Sequence, residues 1–102
     1  MDNHIMIDTD ILKNEQIDNN TLALYIRLVN LVDKQGVVVL SGEELMEVGK
    51  SKNLKSLLDR VDILESNKLL ERSGTIDRKR AYKLNKEFYY KNSRIIDKSN
   101  IQ

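Results

Sequence analysis

Two helix signals follow each other closely in the middle of the chain, and together they limit the folds that it can adopt. Ser41 followed by Glu44 matches the capping-box pattern S-x-x-E and predicts a short helix over about residues 42–48. Gly49 suits a left-handed helix stop, and Ser51 suits the cap of the next helix. That helix is predicted by apolar residues at spacings of three and four: Leu54, Leu57, Leu58, Val61 and Leu64. The pattern indicates two helices joined by a tight turn.

A longer helix and a strand precede this pair. Capping-type residues before Thr21 and a stop at Gly36 predict a helix over residues 19–34. Its apolar surface is wide, since Leu24, Leu28 and Leu31 lie beside a first apolar stripe, so the helix is either central in the core or shared with a partner subunit. Residues 37–40 form a β-branched run that predicts a buried strand. Before residue 17, the sequence is consistent with a short extended piece and a helical turn.

A hairpin and a last helix are predicted after the pair. Asn67 is a plausible left-handed stop, and residues 69–73 and 80–84 are typical of strands that flank a polar segment at 74–79. The segment KEFYYKN after Asn85 predicts a C-terminal amphipathic helix. The expected fold class is α+β. We divide the chain into an N-terminal extension (1–18), one domain (19–92) and a polar tail (93–102).

Composition excludes several classes of protein. The 102 residues, 40% of them hydrophobic, suffice for one core. The chain has no cysteine and only one histidine, His4, so we expect neither a disulfide nor a metal site. It has no glycine-rich phosphate loop, nucleophile elbow or catalytic triad, and therefore we expect no enzyme activity and no cofactor. Without a signal peptide or an 18-residue apolar stretch, a cytoplasmic protein with no membrane partner is expected.

Charge is distributed unevenly along the chain. Residues 1–49 carry three Lys and Arg against nine Asp and Glu, a net charge of −6. Residues 50–102 carry fourteen against seven, a net charge of +7. This polarity is expected of a protein with one surface that faces phosphate.

The order helix, strand, helix, turn, helix, strand, basic loop, strand resembles the winged helix-turn-helix family over about residues 19–85. The resemblance is carried by SGEELMEVGKSKNLKSLLDRVDILESNKLLERSG, with its small capping residue, short helix, glycine turn, basic and hydroxyl-rich helix start and Leu-Leu-Glu-Arg strand. Asn67-Lys68 stands where many members have Lys-Gly. The chain is also similar in length and arrangement to accessory DNA-binding proteins of Gram-positive conjugative-plasmid relaxosomes, of the TcpK type. The family resemblance implies a three-helix core, a small antiparallel sheet and binding of double-stranded DNA.

The resemblance also implies which residues contact DNA. In this family the third helix usually lies in the major groove, while the hairpin, or wing, follows the backbone or enters the minor groove. Carried over by position, the third helix and its approach contribute Lys50, Ser51, Lys52, Asn53, Lys55, Ser56 and Arg60. The wing contributes Thr75, Arg78, Lys79, Arg80 and Lys83. Asn53 suits adenine, whereas Asp59 and Asp62 would repel phosphate.

The residues leave other interpretations open. A basic hairpin tip also protects an edge strand from aggregation, and lysines on a helix are often ordinary surface. Tyr82 and the segment Phe88–Tyr90 suit base stacking, but packing or dimerisation is favoured. We expect a homodimer on AT-rich double-stranded DNA, within a larger nucleoprotein complex at a plasmid or phage origin or as a transcriptional regulator. The alternative is a protein-protein interaction module with the same fold that does not bind nucleic acid.

Overall fold

The computed structural model describes residues 3–93, with side chains for residues 5–91. This part of the chain is an α+β fold with four helices and two antiparallel sheets. The elements, in chain order, are β1 (Asn3–Ile7), α1 (Thr9–Lys13), α2 (Asn19–Leu31), β2 (Val37–Leu40), α3 (Gly42–Gly49), α4 (Leu54–Ser66), β3 (Leu70–Ile76), β4 (Lys79–Leu84) and β5 (Tyr89–Ser93).

Helix α2 is central in the core, which is one of the two roles predicted for its wide apolar surface. Leu24 and Leu28 are at most 1% exposed within the single chain, whereas Leu31 is 46% exposed. Helices α3 and α4 pack against α2 and bring four fully buried side chains to it: Leu45, Leu57, Val61 and Leu64. Burial of these apolar surfaces is the main force that holds the three helices together.

The start of α3 confirms the predicted capping box, but its end differs from the prediction. The Ser41 hydroxyl accepts a hydrogen bond from the Glu44 N–H (3.0 Å), and the Glu44 carboxylate accepts one from the Ser41 N–H (2.9 Å). The left-handed residue is Lys50 (φ 54°) and not Gly49, which is the last residue of the helix. Glycine is needed at 49 for packing, since a Cβ there would lie 2.3 Å from Leu57 Cδ2. The two helices therefore approach closely at this point.

Both ends of α4 differ from the prediction by one or two residues. Helix α4 is capped by Asn53 and not by Ser51, because the Asn53 side chain accepts a hydrogen bond from the Ser56 N–H (3.1 Å). At the other end of α4 the left-handed residue is Lys68 (φ 66°), whereas Asn67 has φ −95°. The Leu69 N–H donates to the Leu64 carbonyl and the Lys68 N–H to that of Glu65, as in a Schellman motif.

The larger sheet has the strand order β2-β4-β3, in which all pairs are antiparallel. Strands β3 and β4 form the predicted hairpin, with Ile76 opposite Lys79 and only Asp77 and Arg78 between them. Both of these residues have positive φ, 52° and 66°, as in a type I′ turn. A register irregularity lies between Arg72 and Thr75, where Gly74 has φ 91°.

The predicted C-terminal helix is wrong. Only a turn forms where the helix was expected to start. The Asn85 side chain accepts a hydrogen bond from the Glu87 N–H (3.0 Å), and the Asn85 carbonyl accepts one from the Phe88 N–H (3.2 Å). The chain then becomes extended, and β5 pairs with β1, with Tyr89 opposite Ile7. A seven-residue helix is marginal on its own, whereas aromatic residues favour strands and β1 has backbone groups that need a partner. The Lys91 ammonium fixes β5 to the end of α2 by donating to the carbonyls of Asn30 and Val32.

The extended piece and helical turn predicted at the N-terminus are confirmed as β1 and α1. This segment, predicted as an extension, contributes Ile11 and Ile17 to the core. Its Asn14 side-chain amide donates to the side chain of Asn67 at the end of α4 (2.9 Å). Residues 94–102 of the predicted polar tail lie outside the described residues. Within residues 3–93, no helix has the length and apolar character needed to cross a membrane.

Candidate nucleic-acid interface

The turn between α3 and α4 presents two of the predicted cations to solvent. Lys50 and Lys52 are exposed, and neither forms an ion pair within the described part of the chain. The left-handed conformation of Lys50 ends α3 and turns the chain toward α4. Both ammonium groups are therefore available to an anionic partner.

The polar residues at the start of α4 are used in the local structure. The Ser51 hydroxyl accepts a hydrogen bond from the Asn53 N–H (3.1 Å), and the Asn53 side-chain carbonyl caps the helix through Ser56. A bidentate contact with adenine needs that same carbonyl oxygen as an acceptor. The predicted adenine contact of Asn53 would thus compete with the helix cap.

The charges along α4 are largely compensated within the protein. Lys55 lies 3.5 Å from Asp59, and Asp62 is paired with Arg72 of β3 (2.7 Å). Both carboxylates that were expected to repel phosphate therefore have a cationic neighbour. Arg60 is half-buried, and its charge adds to hydrogen bonds from Thr21 in lowering the pKa of Asp18 at the start of α2. Arg60 is thus less available for DNA than Lys50 and Lys52, whereas the Lys55 side chain remains 85% exposed beside Asp59.

The hairpin contains another exposed cation of the predicted site. Arg78 is exposed at the tip of the turn and forms no ion pair within residues 3–93. Lys79, the next residue, lies 3.2 Å from the Glu44 carboxylate on α3. The hydrogen bond from the Ser41 N–H is the main cause that lowers the pKa of Glu44, and the Lys79 ammonium lowers it further. Lys83 is exposed opposite Glu71, and Thr75 is exposed opposite Arg80.

Gly42 brings the hairpin and the start of α4 together. A Cβ on Gly42 would lie 3.2 Å from Leu54 Cδ2 and 3.4 Å from Arg80 Nη1. Arg80 is therefore next to the first residue of α4, beside the turn that carries Lys52. The two halves of the predicted site meet at this point, although Lys52 and Arg80 are 28 positions apart in the chain.

Acidic residues border the same surface. Glu43, Glu44 and Glu47 of α3 line an open groove together with Lys50 and Lys52. The acidic and basic halves of the sequence thus meet at the turn between α3 and α4 and do not form separate ends of the molecule. Asp77 is likewise exposed beside Arg78 in the hairpin turn, so carboxylates accompany the exposed cations at both places.

The aromatic residues contribute mainly to packing. Tyr82 is 1% exposed in the core, and Phe88 and Tyr89 pack partly against it, which confirms packing over base stacking for these residues. Tyr90 remains 54% exposed. The dimer was expected partly from Leu24 and Leu28, but both are buried within the single chain and cannot contact a second subunit.

The sequence interpretation missed Arg72, which is the residue that connects the hairpin to α4. Its guanidinium pairs with both Asp62 and Glu65, two residues spaced by three on one face of the helix. The spacing of Asp62 and Glu65 is visible in the sequence, but no neighbouring residue indicates which strand residue pairs with them. Within residues 3–93, no group of three or more His, Asp or Glu side chains is placed to hold a metal ion.

No protein-family model, curated protein or solved structure matches the chain.

Proposed function

We propose that this protein is a winged helix-turn-helix protein that binds double-stranded DNA and has no catalytic activity. The support from the fold is the order α2, β2, α3, α4, β3, β4 together with the strand order β2-β4-β3. In this arrangement α4 is the helix expected in the major groove and the β3–β4 hairpin is the wing.

The observation that carries the proposal is the position of the arginines on the hairpin. Arg78 is exposed at a two-residue turn, and Arg80 lies beside Gly42 and the start of α4. A narrow, exposed arm with an arginine at its tip suits a groove of DNA, where the negative potential is strongest in narrow A-tract minor grooves. We therefore propose that the hairpin leads the contact and that Lys50 and Lys52 add contacts to phosphate.

The proposed setting is an AT-rich site in a larger nucleoprotein complex, as an origin accessory factor or a transcriptional regulator. A single module of this size offers roughly 600 to 1,000 Å² of contact with DNA, so pairing of two copies on a repeated or palindromic site would raise affinity. Surface residues available for such pairing include Leu31 and Tyr90, which are exposed. A monomer in sedimentation, both free and on DNA, would remove the dimer from the proposal.

The test is binding to AT-rich duplexes over a salt series. The wild type is compared with the double variant Arg78→Ala, Arg80→Ala and with a control, Lys13→Ala, Lys34→Ala, which removes the same charge from other exposed positions. We expect log affinity to fall with log salt by about 0.9 per phosphate contact, and the hairpin variant to lose affinity and about one to two units of slope. The control should lose much less.

The second candidate function is a protein-interaction module, favoured by the groove that Glu43, Glu44 and Glu47 line on α3. If the wild type does not bind any duplex even near about 50 mM salt, where phosphate contacts are strongest, this candidate takes the lead. Equal losses in the hairpin variant and the control would instead mean that attraction is diffuse and that no hairpin site exists.

A further inference from the structure

The β3–β4 hairpin extends beyond the core. Leu70 at the start of β3 is buried, but every residue from Glu71 to Arg78 is exposed. The opposite strand re-enters the core only at Ala81 and Tyr82. Apolar packing therefore does not fix the direction of the outer part of the hairpin.

Charged side chains connect the outer hairpin to the helices. Arg72 of β3 pairs with Asp62 (2.7 Å) and with Glu65 of α4, and its backbone N–H also donates to the Glu65 carboxylate (3.3 Å). Lys79 of β4 pairs with Glu44 of α3. Each strand is thus held to a different helix.

The contact of Arg72 is the more specific of the two. A guanidinium is planar and presents several N–H donors in a fixed arrangement, so binding two carboxylates restricts its orientation. Arg72 lies directly before the register irregularity in β3 and opposite Tyr82 of β4, a strand that is paired on its other side with β2 as far as Arg80. The contact thus holds β3 to α4 on the side of the hairpin that is not paired with β2, just before the outer part that carries Arg78.

We propose that Arg72 is a positioning residue, which fixes the angle of the hairpin on α4 by pairing with Asp62 and Glu65. The effect on DNA rests on the proposed function, but the effect on hairpin geometry does not.

The test of geometry needs no DNA. The chain has no cysteine, so spin labels can be placed selectively at Thr75→Cys on the hairpin and Asn20→Cys on α2, both exposed positions. We expect the distance distribution between the labels to broaden or shift in Arg72→Gln and in Asp62→Asn, Glu65→Gln, with Arg72→Lys intermediate. The matched control, Arg78→Gln, removes the same charge beyond the contact and should leave the distribution unchanged.

Salt gives a second arm of the same experiment. Because the side chains are partly exposed, their attraction is screened, and the wild-type distribution should broaden between about 50 mM and about 1 M salt. Arg72→Gln should be less sensitive to this change than the wild type, because only the Lys79–Glu44 pair then remains to be screened. A distribution that is the same in wild type and Arg72→Gln at both salt concentrations would overturn the proposal.

Duplex binding separates positioning from direct contact. Arg72→Gln should weaken binding by up to about fivefold, the effect of about 1 kcal/mol, with no change in salt slope. Arg78→Gln should lower the slope by about 0.9. If the labels respond to Arg72→Gln but the wild type binds no DNA, the positioning role stands and the proposed function fails. A reduced slope in Arg72→Gln would make Arg72 a phosphate contact and contradict the assignment.

Discussion

The three-helix core and the β3–β4 hairpin are stabilised by different interactions. In the core, the side chains of α2, α3 and α4 are excluded from water, and a residue such as Leu57 contacts its neighbours on all sides. In the hairpin, the residues from 71 to 78 are exposed, and ion pairs and backbone pairing with β4 hold them. The core therefore provides most of the stability, while the hairpin carries the exposed Arg78.

This difference means that stability and binding should respond to different substitutions. A change in the core should lower the free energy of unfolding and affect binding only through the unfolded fraction. A change at an exposed hairpin residue outside the left-handed turn residues Asp77 and Arg78 should alter binding with little effect on stability, since surface substitutions are usually within about 0.5 kcal/mol.

The largest effect is expected for Leu57→Ala. Leu57 of α4 is fully buried and lies against Gly49 of α3, so truncation of its side chain would leave a cavity. We expect the free energy of unfolding to fall by about 2 to 5 kcal/mol, measured by urea denaturation. Thr75→Ala on the hairpin is the control and should change it by less than about 0.5 kcal/mol. A similar loss in both variants would mean that the hairpin is as much a part of the core as the helices.

A smaller change of opposite sign is expected for Lys68→Gly. Lys68 ends α4 in the left-handed region (φ 66°), which glycine adopts without the steric cost of a Cβ. The variant should be more stable by about 1 kcal/mol in the same urea assay. Lys86→Gly, at a residue without positive φ, is the comparison and should not be stabilised. A destabilised Lys68→Gly would show that the lysine side chain itself is needed there.

The smallest effect concerns pH. The hydrogen bond from the Thr21 N–H lowers the pKa of Asp18, and the hydrogen bonds from Ser41 and Lys79 lower that of Glu44. Because both values are lower in the folded state, their contribution to stability is complete above the unfolded values of 3.8 and 4.5 and is lost as pH falls below them. Asp18→Asn keeps a capping side chain but should show a shallower loss of stability in acid. An unchanged pH profile would contradict the role of the ionised cap.

Much of the fold was predictable because its signals are local. The capping box at Ser41 and the apolar spacing of α4 depend on neighbouring residues, and both predictions were confirmed. The prediction of a C-terminal helix failed because the partner of the segment at 89–93 is β1, more than eighty residues away in the chain. A short aromatic segment is helical or extended according to what it packs against.

The left-handed residues show another limit of sequence reasoning. Glycine and asparagine were expected at these positions, but lysines end α3 and α4, and Arg78 occupies the hairpin turn. Gly49 serves the close approach to Leu57 instead, a reason that only the helix packing reveals. Most site residues are exposed as expected, whereas the ion pairs of Lys55, Lys79 and Arg72 join residues on different turns or elements. The availability of each cation therefore depended on the tertiary structure.

The most direct test of the central claim is to measure stability and duplex binding together in Arg78→Gly, with Lys68→Gly as the matched control. Both variants lose one positive charge and one left-handed side chain, so both should gain about 1 kcal/mol of unfolding free energy. Only Arg78→Gly should lose affinity for an AT-rich duplex, together with about 0.9 units of salt slope. Unchanged binding in Arg78→Gly, or equal losses in the two variants, would contradict a hairpin that leads the contact with DNA.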